Sequence, residues 1–267
     1  MRVVLDMITI KRLPLVAAVA LVGSAAGAQD NYEIQVYPSA TAAPHTTLFE
    51  LHSNWTGSGT RARTGSVLPS NHALHETLEI THGFSEIFEV GFYLFGSRNT
   101  GEGFQFVGTH IRPRVRAPDS WGLPVGLSLS TELGPTGKQF DANAWGIELR
   151  PIVDQQIGAL YWAFNPNLEW ALKGPDAGQG VDGMTLNPSL KFAWRVTGKY
   201  AAGIEYYGST GTLTRMAPAQ SQQHMLYPTL DFYLAPEWEL NVGYGVRIEG
   251  QGDENILKII FGRRLDF

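Results

Sequence analysis

Ile256-Leu257-Lys258-Ile259-Ile260-Phe261-Gly262-Arg263-Arg264-Leu265-Asp266-Phe267 is the stretch from which the fold is read. In an extended chain, successive side chains point to opposite faces. One face then carries Leu257, Ile259, Phe261, Leu265 and Phe267, and the other carries Lys258, Gly262, Arg264 and Asp266. Arg263 is the one charge in the apolar phase, and it lies near the strand end, where its long stem lets the guanidinium reach water.

The same period of two recurs upstream. Val125, Leu127, Leu129 and Leu133 alternate with Gly126, Ser128, Ser130 and Glu132. Leu160, Trp162, Phe164, Leu168, Trp170 and Leu172 oppose Asn165, Asn167, Glu169 and Lys173, and Trp238–Ile248 repeats the pattern. No window shows helical spacing. Strands are expected at 46–56, 73–82, 86–96, 104–116, 123–133, 142–151, 158–172, 184–196, 199–208, 223–234, 237–248 and 255–267, about twelve in all, an even number as in single-chain bacterial barrels. Connections after even strands are short (82–85, 117–122, 152–156, 197–198, 235–236). Those after odd strands are mostly longer (57–72, 97–103, 134–141, 174–183, 209–222). Transmembrane barrels sort their turns and loops in this way. Trp55, Phe88, Trp162, Trp170, Trp194, Tyr206 and Trp238 fall near strand ends in the apolar phase, as in the aromatic girdles of such barrels. Glu76 shares that phase with Leu74, Leu78 and Ile80, so it must lie at a rim.

Residues 1–28 differ in character. Lys11 and Arg12 precede the apolar run Leu13–Val22, and Ala26-Gly27-Ala28 fits a signal-peptidase site, with Met1 and Met7 both candidate starts. No later stretch is long and apolar enough for a transmembrane helix. The chain has no cysteine, which excludes disulfides, thiolate metal sites and a lipoprotein anchor. A net charge of −5 argues against nucleic acid as a partner. The segment 29–45, with alternating Tyr32, Ile34 and Val36, reads as a periplasmic extension or a lumen plug; an extra strand would break the even count.

The ending Gly262-x-x-Leu265-x-Phe267 resembles the assembly signal of Gram-negative outer-membrane β-barrels, with Leu265 where an aromatic is more usual. The resemblance implies a closed antiparallel transmembrane β-barrel over 46–267, meander topology, and the outer-membrane lipid and barrel assembly machinery as partners. The chain also resembles the group of outer-membrane transporters named for the MetA pathway of phenol degradation.

If the apolar face meets lipid, the polar face lines a lumen. Filter candidates there are His110, Arg112, Arg114, Glu132, Glu148, Arg150, Glu169, Lys191 and Arg247, residues whose opposed charges would set a transverse field that selects solutes. Pairing through the expected turns puts Arg112 near Ser128 and Ser128 near Glu148, so Arg112 would face Glu148 across one small residue. The alternative is a salt-bridged network that fills the lumen. A second cluster comprises Glu50, His52, His75 and Glu79, where polar lining is favoured over a metal site because the spacing is unspecific. His52-Ser53-Asn54 is loosely similar to segments of outer-membrane lipid hydrolases, but adjacent strand residues face apart, and a nucleophile must touch its base. The Gly-x-Gly stretches at 101–103 and 178–180 precede no helix, so they cradle no phosphate. The expectation is a non-enzymatic barrel without cofactor that passes an unidentified small solute, partly hydrophobic; the competing class is a closed barrel acting through its loops.

Overall fold

The computed structural model describes residues 31–266. The expected signal peptide, the two candidate starts and Phe267 lie outside the described residues. Twelve strands form the barrel: β1 (Thr46–Ser58), β2 (Leu74–Ser85), β3 (Phe88–Arg98), β4 (Phe104–Arg116), β5 (Gly126–Pro135), β6 (Trp145–Ile157), β7 (Leu160–Lys173), β8 (Thr185–Arg195), β9 (Tyr200–Ser209), β10 (Gln223–Ala235), β11 (Trp238–Gly250) and β12 (Asn255–Asp266). Each pairs antiparallel with its sequence neighbours, and β12 closes on β1 with Thr46 opposite Asp266 and Thr56 opposite Ile256. Closure is obligatory in lipid, where an open edge would leave backbone N–H and C=O groups unbonded.

Burial is the reverse of a soluble sheet. Along β5, Ser128, Ser130 and Glu132 are 8%, 1% and 6% exposed, whereas Leu127 and Leu129 are 39% and 41% exposed. Ile111, Phe164, Phe192, Ile204 and Leu230 also face outward and exposed. A continuous apolar band of this kind is stable only against hydrocarbon. Trp55, Trp170 and Tyr206 lie toward the long-loop ends of their strands, and Phe88, Trp162, Trp194 and Trp238 toward the turn ends, forming two rings. The Arg263 guanidinium stacks 4.8 Å over Trp238 at the turn end. Glu76 sits opposite Ser53, near the long-loop rim, and accepts its hydroxyl at 2.7 Å.

Three connections need correction. Residues 82–85 are strand, because β2 runs on to Ser85 and turns at Glu86-Ile87. Residues 152–156 are strand: β6 runs on to Ile157 and reverses at Gly158-Ala159, with Gly158 at φ 60°, because Gln155 and Gln156 are polar strand residues near the rim. The β4–β5 connection spans 117–125 and contains a 3₁₀ turn, Asp119–Trp121, so Arg116, not Arg112, opposes Ser128. Ser128 in turn opposes Ile152, and Glu148 opposes Glu132. The β4–β5 and β5–β6 pairings shift by four residues and the β6–β7 pairing by eight; even shifts leave every side chain on its expected face but change its neighbours. The loop after β9 also carries a small hairpin, Gly211–Thr212 with Arg215–Met216.

Candidate functional site: a charged lumen and the segment inside it

Residues 31–45 form no strand and run through the barrel. At the long-loop end, Asn31 donates from Nδ2 to Asp253 at 2.5 Å, and its carbonyl accepts from Asn54 at 2.9 Å. At the turn end, the His45 amide donates to the Gly83 carbonyl at 2.9 Å. Between these ends, Tyr37 bridges nearly opposite walls. Its amide and carbonyl bond the Asn165 side chain on β7 at 2.7 and 3.1 Å, and its hydroxyl donates to Glu79 on β2 at 3.0 Å. The guanidinium carbons of Arg112, Arg114 and Arg150 lie 4.8, 5.6 and 4.6 Å from its ring centre, close enough for cation–π attraction. Ser39 donates from Oγ and from its amide to Asp154 at 2.6 and 2.8 Å. Ile34 and Val36 pack with Tyr207, Tyr227 and Ile256.

Three ion networks line the wall. In the first, Arg112 contacts Glu79 at 2.5 Å and Glu89 at 3.1 Å and donates from Nε to Tyr93 at 2.5 Å. Arg114 joins it through Glu89 at 2.6 Å and donates to the Pro38 and Ala40 carbonyls, both at 2.9 Å. In the second, Arg150 sits 2.8 Å from Glu33 and 2.6 Å from Glu148, and His110 meets Glu132 at 2.6 Å. In the third, Lys191 bridges Glu205 at 3.1 Å and Asp231 at 2.9 Å, while Lys258 pairs with Glu205 and donates to the Ile34 carbonyl at 3.1 Å.

The filter candidates thus separate. His110, Arg112, Arg114, Glu132, Glu148, Arg150 and Lys191 belong to these networks. Glu169 lies opposite Glu148 toward the long-loop end, and Arg247 is at that mouth, donating to the Gly252 carbonyl at 2.7 Å. Arg112 does not face Glu148: its partners are Glu79 and Glu89, as the corrected register requires. In the second cluster, Glu50, His52 and Glu79 converge, with one ligand atom of each lying within 4.8 Å of the others. His75 stands apart, 3.3 Å from Ser97 and edge-on to Tyr32. His52 faces the lumen and Ser53 faces outward to Glu76, so the pair does not form a nucleophile and base. Glu33, Tyr37, Ser39 and Glu89 were not anticipated as site residues. β3 hides Glu89 because Tyr93 and Phe95 make its inner face as apolar as its outer one.

No family model and no curated protein matches this sequence. Among solved structures, the COG4313 outer membrane channel from Pseudomonas putida F1 superposes with a TM-score of 0.61 at 10% identity, over 87% of this chain and 100% of that one. The KdgM porin superposes at 0.54 with 11% identity, over 81% and 98%. The chain shares the fold of outer-membrane β-barrels. At these identities the likeness extends to the fold alone.

Proposed function

We propose that this chain is an outer-membrane channel for small solutes, gated by its own segment 31–45. The observation that carries the reading is the path of that segment. The lumen accommodates an extended polypeptide from the long-loop end to the turn end, so its displacement would vacate a polar passage of about chain width in a barrel of intermediate strand number. Arg112, Arg114 and Arg150 would face Glu79, Glu89 and Glu148 along that passage and act as the filter. The solved channels of similar fold are consistent with this reading. Export by residues 1–28, assembly through Gly262, Leu265 and Phe267, affiliation with the MetA-pathway group and a partly hydrophobic solute are parts of the same proposal.

The test is single-channel recording of the purified full-length protein in a planar bilayer. Discrete openings separated by long closed periods are expected. A second reading, a closed barrel acting through its loops, is favoured by the pairing of most buried lumen charges and by the seated Tyr37. No events at any voltage would select it and end the channel proposal.

A further inference from the structure

Two neighbouring lumen carboxyl groups lack a basic partner. Arg112, Arg114, Arg150, Lys191 and Lys258 each touch a carboxylate, but among the described residues neither Glu50 on β1 nor Glu239 on β11 has a basic side chain within ion-pair distance. Glu50 is buried; the Gln35 side-chain amide donates to it at 3.4 Å, and the Glu239 carboxyl group lies within hydrogen-bond reach of it. Beside it, His52 is fully buried, yet neither ring nitrogen makes a hydrogen bond; Nε2 lies 3.4 Å from Glu79 Oε2. The Gln35 side-chain oxygen Oε1 and one Glu239 carboxylate oxygen are buried and unbonded as well. Buried polar atoms are rarely left unsatisfied, and several together at one place call for a missing partner.

We propose that Glu50, His52 and Glu79 hold a divalent transition-metal ion of the Zn²⁺ class, with the Gln35 side chain of the inner segment, its amide turned so that Oε1 rather than Nε2 faces Glu50, as a fourth donor. The platform is rigid: Glu50 and His52 alternate on one face of β1, and Glu79 is the direct cross-strand partner of Glu50. The three ligand atoms already lie within 4.8 Å of one another, and tetrahedral ligands around zinc are about 3.4 Å apart, a difference that side-chain rotation covers. An imidazole with carboxylates suits zinc better than the all-oxygen preference of Ca²⁺ or Mg²⁺. Glu79 gives Oε1 to Arg112 and Thr81, while Oε2 accepts the Tyr37 hydroxyl at 3.0 Å and keeps its second lone pair on the side of His52 for the ion; Arg112 and Tyr37 then act as the outer partners that orient the ligand. Glu50, Glu79 and Glu239 crowd together beside the single guanidinium of Arg112, and a divalent cation among them would let the carboxyl groups ionise together. The ion would tie Gln35 to the wall, and the site stands whether or not the barrel conducts.

The experiment uses the full-length protein, stripped with a chelator and titrated with Co²⁺ as a visible-absorbing probe and with Zn²⁺ by metal analysis. One ion per chain is expected, with Co²⁺ bands that Zn²⁺ displaces. His52→Ala and Glu50→Gln should each weaken binding at least about tenfold, while His72→Ala, at an exposed histidine near the mouth, leaves it unchanged. Heat-modifiable gel migration checks that each variant is a folded barrel. If His52→Ala does not fold, the near-isosteric Glu50→Gln decides. Sub-stoichiometric binding by the wild type, or unchanged affinity in the folded variants, would overturn the proposal.

Discussion

Arg112→Met probes the most heavily bonded group in the lumen. The Arg112 side chain is 1% exposed and donates to Glu79 at 2.5 Å, Thr81 at 3.1 Å, Glu89 at 3.1 Å and Tyr93 at 2.5 Å. When it is removed, Glu89 keeps Arg114 at 2.6 Å, but Glu79 is left with hydroxyls and a histidine. Breaking a buried pair from one side costs about 3–5 kcal/mol, because the remaining charge has no counter-ion. Arg112→Met should therefore lower barrel stability by about that amount. Adding Glu79→Gln removes the stranded charge, so the double variant should recover to within about 1–2 kcal/mol of wild type. The assay is guanidinium unfolding in lipid vesicles, followed by tryptophan fluorescence, with chelator present so that no cation replaces the arginine. A single-variant loss below about 1 kcal/mol, or a Glu79→Gln effect that adds to the loss, would refute the argument that Glu79 depends on this arginine.

Three further outcomes follow from the same geometry. Tyr37→Phe keeps the ring under its three guanidiniums but loses the bond to Glu79, worth about 1.5–3 kcal/mol, so opening probability should rise about ten- to a hundredfold in bilayer recordings; no rise would remove Tyr37 as a latch. Gly245→Ala would place a Cβ 2.2 Å from the fully buried Tyr227 ring and should cost about 1–3 kcal/mol in unfolding, whereas Gly198→Ala, with open space around it, should be neutral; equal effects would contradict the packing. Phe267→Ala should reduce the amount of protein recovered in outer-membrane fractions, and unchanged recovery would dismiss the terminal residue as an assembly signal.

The wall was legible because lipid and lumen impose opposite preferences on alternate residues. The phase of β12, read from Leu257 and Lys258, holds in the structure, as do the β1–β12 seam and the twelve strands. Neighbours across the wall were not legible. Register depends on where the chain turns, and the connections 117–125 and 136–144 carry no sharp turn signal, so the sequence pairs Arg112 with the wrong partners. The inner segment's partners were the least accessible of all. Tyr37 and Asn165 are 128 positions apart and meet across the lumen rather than along a strand pair, so no periodicity relates them.

The central claim is that the segment 31–45 closes the lumen and that its movement opens it. The chain has no cysteine, so a single engineered disulfide can test this cleanly. A Cβ built at Gly126 lies 3.1 Å from Ser39 Cβ, just under the spacing of about 3.5–4.5 Å found in disulfides, and closer still to Asp154 Oδ1, whose side chain must turn aside once the Ser39 hydroxyl no longer holds it; Ser39→Cys with Gly126→Cys then locks the segment to the wall. Single-channel recording of this variant, with bond formation checked by mass, should show no openings when oxidised and wild-type-like openings after reduction. Equal conductance in the oxidised and reduced states would contradict the account.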